Sequence, residues 1–392
     1  MNKSNLYTVI DYGSSTTRLG VFNENLNNLF ISFTEIIEKD NFEEHNKSVN
    51  NLIKTAEKKI SNHIDNVTLL YDSPEIYSID LSIRKDFDQK INVSEVYSSI
   101  MLEANQLIKN NYINKKIMHV ISSKNIIDGK ELQKNFDKNL KVKSIILEIK
   151  FICLPKEQFN KISNIFKKNN LQILNFFCSS YVKSLSYINS LNEYKIVSFL
   201  DIGYKRSTLL LFKNKKLISL NTIPIGGNHI TNDISEVLKL NINDSEKIKK
   251  AFNKSESEFS YDQNINENNS FIKEILGRGI SVDILKKVIL ARVEEIFELI
   301  FRDLSISNKY IETSNSILIL TGNGSKLFDK NSFHLDERFS FKEISFYEEN
   351  DIDICKSGIS FKINLNHDEV KIVTKNQKKY GIFERFFNFF GR

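Results

Sequence analysis

Two short runs in this chain of 392 residues end an apolar, β-branched stretch with an aspartate two positions before a glycine: Asp11-Tyr-Gly13 and Asp201-Ile-Gly203. Such a turn aims backbone N–H groups at phosphate oxygens, and its carboxylate can hold a hydrated Mg²⁺ on the same group. One copy is weak evidence, because Asp and Gly favour hairpins for local reasons. Two copies carry more. Residues 6–22, LYTVIDYGSSTTRLGVF, lie on 196–212, IVSFLDIGYKRSTLLLF, at a constant offset of 190. That register sets Asp11 on Asp201, Gly13 on Gly203, Leu19 on Leu209 and Phe22 on Phe212. A repeat of this length predicts two related domains rather than a solenoid. A third motif, Thr321-Gly322-Asn323-Gly324, follows the apolar run Ser316–Leu320, and its glycines let backbone approach a nucleoside closely.

Each copy reads as strand, Asp-x-Gly turn, strand and polar hairpin (Asn23–Asn28, then Lys213–Lys216). Between the copies, Val49, Leu52, Ile53, Ala56 and Ile60 have helical spacing within 49–62. A strand-like stretch from Leu81, a helix over 94–110 and strands at 116–121 and 145–153 predict a small α+β insert. Helices are expected over 156–169, 179–190, 244–252 and 280–304, and Thr231 is expected to cap a helix starting near Asn232. Residues 253–270, rich in Asn, Ser and Glu, read as a solvated loop. Ser179 reads as a helix cap, His119 and His229 as structural, and Arg292, Glu294 and Glu295 as a solvated helix face.

Hydrophobic residues at 41% and charged ones at 27% exclude wholesale disorder. No uncharged apolar run reaches 18 residues and MNKSNLYTVIDYG lacks a signal-peptide core, so neither export nor membrane spanning is expected. Cys153, Cys178 and Cys355 have no paired spacing and the six histidines form no HxxxH pair, which argues against a disulfide scaffold and a zinc site. The net charge of +6 is spread along the chain, so nucleic acid is not expected as a partner.

The run KKYGIFERFFNFFGR carries the second strong signal. At about 100° per residue, Ile382, Phe383, Phe386, Phe387, Phe389 and Phe390 fall within an arc of about 160°, and Glu384, Arg385, Asn388 and Arg392 face away. A core helix is the ordinary reading of such a face. Five phenylalanines in nine residues, a preceding polar linker, the terminal position and the cations Lys378, Lys379 and Arg385 favour an interfacial helix on anionic lipid instead.

Taken together, DYGSSTTRLGVF, DIGYKRSTLLLF and ILILTGNGSKL resemble the two phosphate motifs and the adenosine motif of the actin-like ATPase superfamily. PIGGNHITNDIS, DSEKIKK, GISVDILKKVILARVEEIFELI and HVISSKNIIDG resemble its FtsA family of bacterial cell-division proteins. The resemblance implies an α/β, actin-like (ribonuclease H-like) two-lobed fold with an α+β insert and an amphipathic helix. It places subdomain 1A at 1–82 and 157–193, the insert 1C at 83–156, 2A at 194–228 and 305–363, and 2B at 229–304. A linker (364–378) and a membrane-targeting helix (379–392) follow. ATP and Mg²⁺ are the implied ligands. Asp11 and Asp201 would organise the metal through water, with Gly13, Ser14, Ser15, Thr16, Gly203 and Lys205 on the phosphates. Gly226 and Gly227 would bring a turn near them, Glu246 and Lys249 would embrace ribose and base, and Gly322, Asn323 and Gly324 would lie under the adenosine.

The implied partners are the carboxy-terminal peptide of FtsZ, further copies of this chain in short filaments, anionic lipid, and later division proteins reached through the insert. The implied place is the cytoplasmic face of the membrane at the division site. One departure stands out: Tyr204, Lys205 and Arg206 fill positions that are glycine-rich in the family, and Leu209 replaces an acidic residue. Hydrolysis is therefore expected to be slow or absent, at most a weak ATPase. The rival readings are an actin-like adaptor of pilus assembly and a small-molecule kinase of the same superfamily.

Overall fold

The computed structural model describes residues 6–35, 42–131, 140–254, 282–305, 315–327 and 341–363. The loop expected over 253–270 and the amphipathic run 379–392 lie almost wholly or wholly outside these residues.

The internal repeat builds two sheets of identical strand order. In the first, β1 (Tyr7–Tyr12), β2 (Thr16–Phe22), β3 (Asn28–Glu35), β4 (Asn66–Tyr71) and β9 (Gln172–Cys178) run in the order β3-β2-β1-β4-β9. In the second, β10 (Ile196–Ile202), β11 (Ser207–Lys213), β12 (Lys216–Ile223), β13 (Ser316–Thr321) and β14 (Glu343–Phe346) run β12-β11-β10-β13-β14. Three antiparallel strands and two parallel ones recur at corresponding places. The central strands β10 and β13 are buried on both faces, which is why they read as continuous apolar runs rather than alternating ones.

The two Asp-x-Gly turns are the same turn. Gly13 N–H donates to Thr16 O at 3.1 Å, and Gly203 N–H to Arg206 O at 2.8 Å. A Cβ on Gly13 would lie 2.7 Å from Thr16 O, so this position takes glycine for want of space. The second hairpin closes through Asn214 and Lys215, both at positive φ, the twist that matches two-residue hairpins.

Between the copies stand α1 (Phe42–Ile60), β5 (Tyr77–Asn92), α2 (Val93–Asn111), β6 (Lys115–Ile127), β7 (Lys130–Glu131), β8 (Lys141–Pro155), α3 (Lys156–Lys168) and α4 (Ser179–Ile188). The insert is a sheet of order β5-β8-β6-β7 packed on α2, with Val96, Ile100 and Ala104 against Leu147, Ile149 and Phe151. Its pairing starts at Tyr77 opposite Cys153, ahead of residue 83, because Ile79, Leu81 and Ile83 already alternate as a strand. Asn92 caps α2 by accepting from Ser94 N at 3.1 Å.

After the second copy come α5 (Gly227–Leu238), α6 (Ile242–Lys254), α7 (Val282–Ser305) and α8 (Asp351–Ile363). α5 begins earlier than its sequence suggested. Gly226 is its cap, and Thr231 lies inside the helix, where its hydroxyl bonds back to Gly227 O at 3.1 Å. α8 follows the second sheet yet packs on β1, β2 and β4 of the first, with Cys355 and Ile359 in the first core. α4 follows the first sheet and touches β10 and β11 of the second.

Candidate functional site

Parallel strands set their carboxyl ends on one edge of a sheet, the edge at which open α/β sheets bind ligands. At the first sheet this edge presents Asp11 from β1, Asp72 just past β4, and Ser179 and Ser180 at the start of α4 after β9. At the second it presents Asp201 from β10, Gly322 past β13 and Glu349 past β14.

α4 lies between the two edges. Ser179 Oγ donates to Asp11 Oδ1 at 2.8 Å, and one helical turn later Lys183 Nζ donates to Asp201 Oδ2 at 2.8 Å. The two Asp-x-Gly turns therefore face one another across the first turns of one helix. Asp72 accepts from Ser180 N at 2.9 Å, which places a carboxylate on the positive end of the helix dipole.

The cleft carries its own cations. Arg206 pairs through Nη2 with Asp72 and, at 3.4 Å, with Asp201; its Nη1 donates to Thr208 Oγ1 at 3.0 Å. Lys183 also reaches Glu349 Oε2 at 3.0 Å. Arg18 of β2 pairs with Asp11 at 3.1 Å and with Asp351 of α8 at 2.5 Å. The result is an alternating chain, Asp72–Arg206–Asp201–Lys183–Glu349, whose side chains are all at most 10% exposed. Burial raises the Asp201 pKa, but Lys183 and Arg206 outweigh it and hold this carboxyl well below the usual range. Burial opposes the charges on Lys183 and Arg206 too, and the acids around them push both pKa values up. Asp72 and Glu349 go the other way: burial dominates and raises them despite Arg206 and Lys183.

The glycines of the site have immediate neighbours. A Cβ on Gly226 would meet Gly203 O at 2.5 Å and Tyr204 O and Arg206 N at 2.8 Å. This close approach lets Gly227 N donate to Gly203 O at 2.9 Å and Asn228 N to Tyr204 O at 2.8 Å, so the second turn itself occupies the first N–H groups of α5. Gly322, at φ +82°, lies on Asp201, where a Cβ would stand 2.5 Å from Oδ1. Gly324 packs on Ile202, within the short 3-10 turn Asn323–Leu327.

Glu246 and Lys249 of α6 are brought together. Lys249 Nζ donates to Glu246 Oε2 and Thr231 Oγ1 at 2.7 Å and to Gly227 O at 2.8 Å. Burial lowers the Lys249 pKa, with Glu246 opposing. Ser14, Ser15 and Lys205 sit half-buried on the two turns. His119 and His229 accept from Cys178 N at 2.9 Å and Gly226 N at 3.2 Å, respectively. Arg292 is more than a solvated residue, because it ties α7 to α5 through Asp233 at 2.6 and 2.7 Å.

Asp72, Lys183 and Glu349 were missed by sequence reasoning, and for Lys183 a signal existed. Ser179, Ser180, Lys183, Ser184 and Tyr187 recur with helical spacing on a face of small residues, so the lysine had to point inward. Ser179 is not the cap that its sequence suggested: Cys178 stands there, and the Ser179 hydroxyl holds Asp11 instead.

A divalent ion ligated directly by these acids would have to compete with the cations already on them. Both Asp11 oxygens already accept hydrogen bonds, and Asp201 Oδ2 takes two cations. Among the described residues no group of three or more His, Cys, Asp or Glu could hold a metal.

The family model for "Cell division protein FtsA" matches residues 198–319, from β10 to β13. The chain is FtsA-like. FtsA of Bacillus subtilis (strain 168) is 24% identical over 325 residues, which span 78% of this chain and 70% of that protein. Among solved structures, one described as the PilM-PilN type IV pilus biogenesis complex aligns with a TM-score of 0.55 at 12% identity, over 93% of this chain and 97% of that one. A structure of MreB 5 of Spiroplasma citri bound to AMPPNP aligns with a TM-score of 0.47 at 11% identity, over 93% of this chain and 97% of that one. The fold is actin-like, with twin sheets, a second lobe similar to FtsA and a cleft lined by ion pairs. Among the described residues no helix is long and apolar enough to cross a membrane.

Proposed function

We propose that this FtsA-like chain is a membrane-bound scaffold of cell division, joining FtsZ filaments to the cytoplasmic face of the membrane and recruiting later division proteins. The single observation that carries this reading is the FtsA match over 198–319, a segment that includes β10, the second turn, α5, α6 and most of β13. The amphipathic run from Ile382 to Phe390 supports the membrane half: six apolar side chains on one arc, with Lys378, Lys379 and Arg385 for anionic headgroups. The insert, with α2 packed on its own four-stranded sheet, would offer a surface to neighbouring copies and later partners.

ATP enters this reading as a ligand rather than a fuel. Ser14, Ser15, Thr16 and Gly13 on the first turn and the Glu246–Lys249 pair are the residues that would meet it. Arg206 is committed to Asp72 and Asp201, so phosphate release near background is expected. The deciding experiment is co-sedimentation of the full chain with anionic liposomes, with and without a peptide of the FtsZ carboxy terminus. Binding of the peptide on the vesicles supports the scaffold. Vesicle binding with no affinity for the peptide favours the pilus adaptor, and ATP turnover with a small acceptor favours a kinase.

A further inference from the structure

We propose that Lys183 and Arg206 take the place of a divalent ion in joining the two lobes, so that the cleft is held closed by the chain's own side chains and is indifferent to Mg²⁺. This goes beyond the division reading and does not rest on it. A chain that ignores the FtsZ peptide could still have a metal-blind cleft.

Two links cross between the lobes, and each puts a side-chain cation between acids. Arg206, on the second turn, reaches Asp72 at the end of β4 in the first sheet. Lys183 projects from α4, which Ser179 and Ser180 fasten to Asp11 and Asp72 of the first sheet, and it reaches Asp201 and Glu349 of the second. A metal bridging the two turns needs carboxylate oxygens that are free to coordinate it. Here Asp11 gives one oxygen to a hydroxyl and the other to a guanidinium, while Gly322 packs directly on Asp201 Oδ1. An ion placed between the turns would also sit beside the ammonium and the guanidinium, where like charges repel at short range and low dielectric.

Lys183 and Arg206 do with fixed charge what a bound ion does with borrowed charge. They stop the acids of opposite lobes from repelling one another, and both are delivered by packed backbone, one by α4 and one by the turn at Gly203–Arg206. Closure then costs no ligand and releases none.

The test uses the full chain. Mn²⁺ serves as a spin-visible probe for Mg²⁺ binding, and the rate of cleavage by a non-specific protease reports closure in EDTA and in millimolar Mg²⁺. The expected result is no saturable Mn²⁺ site on the wild type and cleavage rates within about twofold between the two conditions, because the population of open chain does not change. Lys183→Ala is expected to be cut about tenfold faster, since Asp201 and Glu349 lose their shared cation. A single Mn²⁺ site that Mg²⁺ displaces and Asp201→Asn removes overturns the proposal. So does strong protection of the wild type by Mg²⁺ alone, or a Lys183→Ala chain as resistant as the wild type. If Lys183→Ala does not fold, the two wild-type measurements decide alone.

Discussion

Replacing Arg206 by methionine tests the ion-pair chain where it joins the two sheets. The guanidinium serves Asp72, Asp201, Thr208 Oγ1 and the Asp201 carbonyl at once. Methionine fills much of the same volume, so the change removes charge and hydrogen bonds with little cavity. Breaking one partner out of a buried pair costs about 3–5 kcal/mol. The lower end is expected here, for two reasons visible in the structure. Asp201 keeps Lys183 at 2.8 Å, and Asp72 keeps the Ser180 N–H and hydroxyl. Asp72 also has a raised pKa, so it can take up a proton once its cation is gone. We therefore expect a loss of about 3 kcal/mol at pH 7, read as a shift of the urea midpoint at unchanged slope. Adding Asp72→Asn keeps the helix-end hydrogen bond, removes the stranded charge and should recover about 1–2 kcal/mol. A single-mutant loss below about 1 kcal/mol, or a double mutant no better than the single, would show that the bridge is a solvated pair and that the cleft is not tied shut by it.

Three further outcomes follow from the same geometry. Gly226→Ala should destabilise by about 1–3 kcal/mol in urea, because its Cβ would meet three backbone atoms of the second turn at 2.5–2.8 Å; a neutral result would mean that the turn moves freely. Asp201 has its folded pKa held below the unfolded value near 4, so its contribution is present above that value and fades as the pH falls through the folded one; the stability difference between wild type and Asp201→Asn should shrink on acidification below about pH 4, and a constant difference contradicts the assignment. Burial raises the thiol pKa of Cys153 to about 12 and pushes those of Cys178 and Cys355 up as well; a colorimetric thiol reagent at pH 8 should modify none of the three in the native chain and all of them in urea.

The twin lobes were legible because they rest on local rules. Two apolar strands flanking Asp-x-Gly must form a hairpin, and an offset of 190 must form it twice. The helices at 93–111, 156–168 and 179–188 were legible within a few residues from their apolar spacing. The start of α5 was missed because glycine is a weak capping signal beside the threonine at 231. The cleft itself was only half legible. Asp11 and Asp201 were found, but sequence spacing cannot say which cation faces which acid when Arg18 and Asp351 are 333 residues apart. Arg206 was read only as a side chain in a glycine-rich position, whereas the fold brings Asp72 to it.

The exchange of helices between the sheets has a consequence for how the chain is made. The first sheet is complete in sequence once β9 has been synthesised, yet Cys355 and Gly358 of α8 pack on the surface carrying Gly20 and Leu70. A nascent chain must hold that apolar face open while the entire second half is translated. We expect a chain stopped at residue 350 to bind a hydrophobic dye and to be captured by chaperones, and restoring 351–363 as a separate peptide to suppress both. In this architecture the earliest half to be written is the last to be sealed.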